Sequence, residues 1–410
     1  MQEDSMMIAI PRDSEDFKDP EVLKNNLDAN ESTNVLSFEL DQYERFEIKL
    51  TIDGRLYTIW LSLEPVEIPR FIRMDHQFSK KDVEVLQKVT LGLGVNMIYN
   101  GDSRICFYDQ IRIINILVPD VVAVMDIPSE KLLSGKWLAL AAQSKVMPAP
   151  RYLFTVQAVY GDETDEVWLH THGLKRCGLY ELEILDSNKD SYEAHYQVIE
   201  TMAYIMIESE EGVNPGEPVF NAHLSNGDIL VTTAVEWKEA LHFYPDIKFG
   251  KNDDRDEYHS DDYYALMAYA NYDDSEMKIY TKLQDYENDL TDNPVFLVST
   301  SETERMSALA RERISYLIFA FENLDCKCVA KIGLETDPEY REENEKEHIW
   351  FDVKGFKDGK IIGELTQEPY FVSGIKIGDV GTYSLSDVTD WLILTEETRI
   401  TPDDVYLIAK

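Results

Sequence analysis

The sequence predicts an α+β protein with mixed or antiparallel sheets and packed helices, together with a small β-rich C-terminal domain. Two stretches of alternating apolar residues each surround an Asp-Gly pair, Asp53-Gly54 and Asp358-Gly359, which is typical of β-hairpins. Other stretches repeat apolar residues at helical spacing, and they alternate with the strand-like ones. This alternation of helices with hairpin-linked strands favours the α+β class.

The pattern along the chain divides it into four segments. Its 410 residues are enough for about two to four domains that each bury a core. We expect a polar lead-in over 1–34, an N-terminal α+β region over 35–245, an acidic linker with a strand-helix segment over 246–322, and a small β-rich domain over 323–410.

The N-terminal region begins with the hairpin around Asp53-Gly54 and continues with a helix over 79–93, which Ser79 can cap. Residues 104–125 are interpreted as two buried strands. The next predicted elements are a helix over 129–142, strands over 152–160, 166–170 and 181–185, a helix that starts at a capping box of Asp190 and Glu193, and a strand over 229–235.

An acidic run over 246–262 is predicted to be a solvated linker. It lacks the alternating acidic residues followed by Gly and Glu that a calcium loop requires. The elements predicted after it are a helix over 263–271, a buried strand over 294–299, a long helix over 301–321, and the hairpin around Asp358-Gly359.

The charge balance excludes several functions. The chain has 78 acidic and 39 basic residues and a formal net charge of −39. This field repels phosphate backbones and anionic membrane surfaces, so we expect no nucleic-acid or membrane partner. A basic protein partner would be attracted. Four cysteines are too few for a disulfide scaffold, and no signal peptide is recognised, so a cytoplasmic location is expected.

The segment over 168–184 concentrates the chemically capable side chains. His170 and His172 lie two residues apart, so on a strand both point to one face, a spacing that metal sites use. A metal site also needs a third ligand, which the sequence does not reveal. The favoured interpretation is therefore that both histidines orient the turn at Gly173 through backbone hydrogen bonds, with no cofactor expected.

Three further residues of this segment are candidates for binding. Lys175 and Arg176 beside the turn can hold an anion, although pairing with Glu181 and Glu183 is the favoured role. Cys177 near the two histidines is the sole Cys–His candidate for nucleophilic chemistry. Neither a G-x-S-x-G elbow nor a phosphate-binding glycine loop is present in the sequence.

Several motifs resemble a bacterial family known as domain of unknown function 4026, over residues of about 35–245. They are WLHTHGL at 168–174, ELEI at 181–184, FYDQI at 107–111, VPDVVAVMD at 118–126 and LLSGKWL at 132–138. The C-terminal segment, over about 325–410, resembles a second bacterial family, domain of unknown function 2314. The matching motifs there are HIW at 348–350, GEL at 363–365, GD at 378–379 and DVTDW at 387–391. These resemblances imply a bacterial multidomain protein and no particular activity.

Two function classes remain after this reasoning. The favoured one is a non-catalytic binding or regulatory protein, immunity-like in one version, that acts on a protein partner. The alternative is a metal-dependent hydrolase or related enzyme that uses His170 and His172. The five residues to test are His170, His172, Lys175, Arg176 and Cys177; the catalytic residues and the oligomeric state are left open.

Overall fold

A computed structural model describes residues 3–69, 72–74, 76–161, 164–256, 259, 263–292, 294–342 and 345–409. Three mostly antiparallel sheets with packed helices confirm the α+β prediction. The chain forms two compact units, one of residues 1–138 with 148–299 and the other of residues 139–147 with 300–410. The segment predicted over 246–322 is thus divided between the two units at residue 300.

Sheet A belongs to the first unit and contains seven strands. They are β1 (Ser5–Pro11), β2 (Thr33–Leu40), β3 (Phe46–Ile52), β4 (Arg55–Pro65), β5 (Leu91–Met97), β6 (Val121–Asp126) and β7 (Lys131–Ser134). Their order in the sheet is β2-β3-β4-β5-β1-β6-β7. The predicted hairpin is confirmed as β3–β4, with Asp53 at φ 47° and Gly54 at φ 81° in the turn.

Sheet B also belongs to the first unit and contains seven strands. They are β8 (Thr155–Tyr160), β9 (Glu166–His172), β10 (Glu181–Asn188), β11 (Val219–His223), β12 (Ile229–Glu236), β13 (Tyr263–Tyr269) and β14 (Val295–Phe296). Their order is β14-β11-β12-β13-β10-β9-β8, and β10 and β13 run parallel. Strand β9 therefore lies between β8 and β10, with all residues from Val167 to His172 buried.

Sheet C belongs to the second unit and contains six strands. They are β15 (Lys327–Glu335), β16 (Lys346–Lys357), β17 (Lys360–Leu365), β18 (Val380–Ser384), β19 (Val388–Leu394) and β20 (Arg399–Ile400). The predicted hairpin around Asp358-Gly359 is confirmed as β16–β17. A core of buried residues that includes Trp391, Phe351 and Ile332 packs on this sheet.

Ten helices lie in the described part of the chain. They are α1 (Pro20–Ala29), α2 (Lys80–Leu86), α3 (Ser103–Leu117), α4 (Gly135–Gln143), α5 (Tyr192–Glu208), α6 (Trp237–Ala240), α7 (Tyr272–Met277), α8 (Glu287–Thr291), α9 (Thr300–Glu312) and α10 (Ile314–Asn323). No helix of the described residues is both long and apolar enough to cross a membrane.

Several predicted elements of the first unit are wrong. The lead-in predicted over 1–34 contains β1, which lies inside sheet A between β5 and β6. Residues 104–117 belong to α3 and not to a strand. Strand β13 occupies the place of the helix predicted over 263–271. Both errors share a cause, because an element buried on most sides shows a continuous apolar run that does not distinguish helix from strand.

The strand predicted as buried over 294–299 is the short β14, with Val295 66% exposed. The other differences concern element boundaries. The helix predicted over 79–93 ends at Leu86, although Ser79 caps it as expected. β7 occupies the first part of the helix predicted over 129–142, and α9 and α10 replace the single helix predicted over 301–321. The predicted capping box of Asp190 and Glu193 is not formed, because Ser191 is the N-cap of α5 and makes no side-chain cap.

Candidate metal centre

Strand β9 presents two histidines on one face of sheet B. Trp168, His170 and His172 alternate along it, and alternate residues of a strand point to the same side. His170 stands directly opposite Gln157 of β8 and Glu183 of β10. Directly opposite residues of paired strands share a face. The face that carries the histidines therefore also carries one amide and one carboxylate.

A third histidine, His259, completes a cluster with these two. The ring centroid of His259 lies 5.0 Å from that of His170 and 5.1 Å from that of His172, and the latter two are 4.9 Å apart. One nitrogen from each ring lies within 4.8 Å of the other two. In the described part of the chain, no other group of three or more His, Cys, Asp or Glu residues comes this close.

The two strand histidines have buried nitrogens without hydrogen-bond partners. Among the described residues, nothing pairs with either ring nitrogen of His170 or with Nε2 of His172. The His170 ring is 1% exposed. A buried polar group that lacks a hydrogen bond costs about 1–3 kcal/mol in protein mutational data. Unpaired buried groups of this kind are uncommon in folded proteins, and a ligand between the rings would explain them.

Burial lowers the pKa of both strand histidines. The pKa of His170 lies well below the ordinary value. Loss of hydration on burial is the largest cause, and the charges of His172 and His259 lower the pKa further. For His172 burial, then the same interaction with His259, lowers the pKa to about 3. Both rings are therefore neutral at pH 7, which is the form of histidine that binds metals.

Asp256 sets the orientation of the His259 ring. Its Oδ1 lies 2.7 Å from Nδ1 of His259 and accepts the backbone N–H of the same residue at 3.1 Å. With a carboxylate on Nδ1, the proton stays on that nitrogen and Nε2 is free to act as a ligand. The His259 side chain is 21% exposed. The cluster is thus open to solvent on the His259 side.

Arg255 fixes the backbone of the same segment. Its guanidinium lies 2.8 and 2.9 Å from the two carboxylate oxygens of Glu183, and it donates to the carbonyl of His259 at 3.0 Å. It also stacks over Trp237, 3.8 Å from the ring centroid. The Arg255 and Glu183 side chains are 2% and 0% exposed. Breaking such a buried pair is costly, so the pair holds His259 against sheet B.

Glu130 reaches the cluster from the turn between β6 and β7. Gln157 donates a side-chain hydrogen bond to its carboxylate. Burial raises the pKa of Glu130, while the Gln157 hydrogen bond and the charge of His259 lower it. Tyr263 lies beside the same rings, with its centroid 5.9 Å from that of His259. A carboxyl group, an amide and a phenol thus lie near the histidines.

Glu181, and not the two predicted histidines, holds the turn at Gly173. Gly173 has φ 107°, and a Cβ there would lie 2.5 Å from the carbonyl oxygen of Leu153, so glycine is required. Its N–H donates to Glu181 at 2.9 Å, as does that of Lys175 at 3.1 Å. The interpretation that His170 orients the turn by hydrogen bonds is wrong, because its ring nitrogens have no partner among the described residues.

Lys175 lies beside the cluster, and Arg176 does not face it. The Lys175 ammonium is 5.3 Å from the ring centroid of Tyr263, and its charge helps to lower the pKa of His172. Lys175 also interacts with Glu181, as predicted. The predicted pairing of Arg176 with Glu181 and Glu183 is wrong.

Arg176 is fully buried in a separate ionic network. Its guanidinium binds both oxygens of Asp126, at 2.6 and 2.9 Å. It also donates to the carbonyls of Tyr152 and Leu153 and to the hydroxyl of Ser5. With its charge paired and its N–H groups satisfied, Arg176 has a structural role.

Cys177 is a poor candidate for a nucleophile. Burial raises the pKa of its thiol to about 11. The group is therefore protonated at neutral pH, whereas the thiolate is the reactive form.

Sequence reasoning missed four residues of this centre: Glu130, Arg255, Asp256 and His259. Three of them lie in the acidic run that was interpreted as a solvated linker, where Glu257, Asp261 and Asp262 are outside the described residues. A signal was present, since one arginine and one histidine interrupt the acidic run. The Asp-x-x-His spacing, which lets the carboxylate reach Nδ1, was a second signal.

The fold and the cluster define an α+β protein with a candidate three-histidine metal centre. The chain belongs to the DUF4026 family. The family profile described as "Protein of unknown function (DUF4026) N-terminal" matches residues 5–148, and its C-terminal counterpart matches residues 156–267. A further profile, "Uncharacterized protein conserved in bacteria (DUF2314)", matches residues 320–401. Both resemblances seen in the sequence are confirmed, and the first match includes most of the predicted lead-in.

These family descriptions assign no activity. Comparisons with curated proteins and with solved structures give no match. The geometry of the site is therefore the basis on which a function can be proposed.

Proposed function

We propose that this protein binds one divalent transition-metal ion, zinc in the first place, through His170, His172 and His259. The observation that carries the proposal is the convergence of two buried, unpartnered imidazoles on a third one whose Nδ1 is held by a carboxylate. A metal ion would supply the missing partner of the buried nitrogens. This favours the metal-dependent class over the binding-only class.

The ligand set fits zinc in chemistry and in size. Imidazole suits zinc and other late first-row metals, and Zn–N bonds are about 2.0–2.1 Å long. Nitrogens around a tetrahedral zinc are thus about 3.4 Å apart. The three nitrogens here lie within 4.8 Å, so small ring rotations bring them to bonding distance. Three protein ligands leave a fourth position for water or substrate.

The experiment is a zinc titration of the full chain after removal of metal with a chelator. We expect elemental analysis and calorimetry to give one zinc per chain for the wild type. His170→Ala, His172→Ala and His259→Ala should each lose the ion. His195→Gln is the matched control, since His195 is equally buried but lies outside the cluster.

Two results would contradict the proposal. One is a folded wild-type protein that takes up no zinc, manganese, iron, cobalt, nickel or copper. The other is full metal uptake by the folded His170→Ala variant. Circular dichroism of each variant distinguishes a lost ligand from a lost fold.

The predicted basic protein partner depends on the net charge of −39 alone. It stays a prediction, which a salt-sensitive pull-down tests. Failure to recover a basic partner at low salt would count against it.

A further inference from the structure

We propose that the centre is hydrolytic, with Glu130 as the proton acceptor for a water in the fourth position and an uncharged carboxylic ester as substrate. This inference rests on the proposed metal centre. It adds an activity and a named acid–base residue to it.

The contacts of Glu130 place it over the histidine-bearing face of sheet B. Its carboxylate accepts a hydrogen bond from the side chain of Gln157, and Gln157 stands directly opposite His170. Because opposite residues share a face, the carboxylate lies on the same side as His170. It interacts electrostatically with His259.

Glu130 is nevertheless not a member of the ligand group. The three clustered groups are all histidines, and the carboxylate of Glu130 is not among them. A carboxylate that is close to a metal site without being a ligand is placed to accept a proton from water at the open position. This is a general-base role, in which geometry is the first requirement.

The backbone of Glu130 points to the same conclusion. Its φ is 52°, the left-handed region that favours glycine. Two backbone hydrogen bonds hold it there, from its N–H to Ile127 at 3.2 Å and from the N–H of Arg73 to its carbonyl at 2.8 Å. A half-buried carboxylate is thus kept where glycine would suit the turn better. Strain of this kind concentrates at functional sites.

The surroundings suit a group that takes up and returns a proton. Burial raises the pKa of Glu130, and the Gln157 hydrogen bond opposes that shift. The charged and titratable groups that act on it are Asp256 and His259, and Tyr263 also responds to its charge. His259 is a member of the histidine cluster, and Asp256 and Tyr263 contact its ring.

The reaction balances without any further reactant. One proton passes from the water to Glu130, and the water oxygen forms a bond to the carbonyl carbon of the ester. The bond from that carbon to the alkoxide oxygen breaks. Glu130 then returns the proton to the alkoxide, so an ester and one water give a carboxylic acid and an alcohol.

An uncharged ester fits the site better than a phosphate ester. Asp256 and Glu130 lie near the cluster and would repel a phosphate dianion, whereas the charge of Glu183 is paired with Arg255. Many phosphoryl-transfer sites use two metals about 3.5–4 Å apart. The described residues offer no second group of three ligands.

The first test measures hydrolysis of p-nitrophenyl acetate by the zinc-loaded full chain against the chelator-treated chain. Glu130→Gln should lower kcat/KM at least about 100-fold while the protein keeps one zinc per chain. Asp186→Asn is the matched control, because Asp186 also has a left-handed backbone and a carboxyl pKa raised by burial. The control should keep the wild-type rate.

The second test does not depend on turnover. In the cobalt-substituted protein, the visible spectrum should change with pH as the bound water ionises. Glu130→Gln should shift the midpoint of that change, and Asp186→Asn should leave it in place.

The outcomes separate this inference from the metal proposal. If the wild type binds no metal, the proposed function fails. If zinc binds but the zinc-loaded chain is no faster than the chelated one, only the hydrolytic inference is overturned. An unchanged rate and an unchanged spectrum in Glu130→Gln also overturn it. Loss of zinc from folded Glu130→Gln would make Glu130 a ligand and would overturn its role as a base.

Discussion

Two of the buried polar groups in the segment from Trp168 to Cys177 differ in one respect. The Arg176 guanidinium binds Asp126, two carbonyls and a hydroxyl. The His170 ring, six residues earlier in the chain, is also buried, and neither of its nitrogens has a partner among the described residues. Complete pairing is typical of a structural network, whereas the convergent unpaired rings are the observation on which the proposed metal site depends. Burial and polarity alone would not have separated them.

The largest expected effect on stability comes from breaking the pair of Asp126 and Arg176. Asp126→Asn leaves the buried guanidinium without its counter-charge, so we expect the free energy of unfolding to fall by about 3–5 kcal/mol. Urea denaturation at pH 7 measures it. Asp102→Asn is the control, because the Asp102–Arg104 pair is partly exposed and should contribute below about 1 kcal/mol. A loss below about 1 kcal/mol for Asp126→Asn would remove the contrast.

The unpaired His170 ring should instead make the stability of the protein depend on zinc. At a zinc concentration a hundredfold above Kd, the wild type should gain about 2.7 kcal/mol in the free energy of unfolding. His170→Ala should gain nothing, because it lacks one of three ligands. Urea unfolding with zinc and with a chelator checks this. Equal stabilisation of both proteins would mean that zinc binds elsewhere.

His195 provides an intermediate case, since its Nδ1 has one partner, Ser187 Oγ at 2.8 Å. Burial lowers the pKa of His195 to about 4, against 6.5 in the unfolded chain. The unfolded state therefore takes up the proton first. The stability that the folded protein owes to a neutral His195 is complete above pH 6.5. It is lost as the pH falls towards 4.

By pH 5 this loss should amount to about 2 kcal/mol in the chelator-treated protein. Urea unfolding at pH 7 and pH 5 measures it, with His195→Gln as the comparison. The variant should lose less stability on acidification than the wild type does. An identical loss in both would show that His195 is not responsible.

The smallest expected effect concerns the orientation of His259. Asp256→Ala removes the acceptor on Nδ1, and loss of such a partner lowers metal affinity by about tenfold to a hundredfold. We expect the smaller, tenfold effect, because the Asp256 side chain is 60% exposed. Competition with a zinc chelator measures the affinity. Asp253→Asn, an exposed change in the same acidic run, should have no effect, and an equal effect of both would indicate general electrostatics.

The parts of the fold that the sequence predicts are those with local causes. Asp-Gly pairs specify their own turns, so both hairpins are found where expected. Helix α3 and strand β13 are misassigned, because nearly continuous burial removes the periodicity on which the assignment depends. The strand spacing likewise predicts that His170 and His172 share a face.

The rest of the site comes from contacts between residues distant in the chain. His259 joins the cluster because Arg255 pairs with Glu183, which is 72 residues away along the chain. Glu130 joins it through Gln157. The sequence therefore offers His170 and His172 as candidates, and it does not show which distant residues lie beside them.

The buried pair of Asp126 and Arg176 has a consequence for how the DUF4026 region folds. The two family profiles meet between residues 148 and 156, which suggests two separable modules. Yet Asp126 belongs to one match and Arg176 to the other. A chain cut at that boundary would leave an unpaired charge in the interior of each fragment. We therefore expect the two DUF4026 profiles to cover one cooperative folding unit, and neither half should be stable by itself.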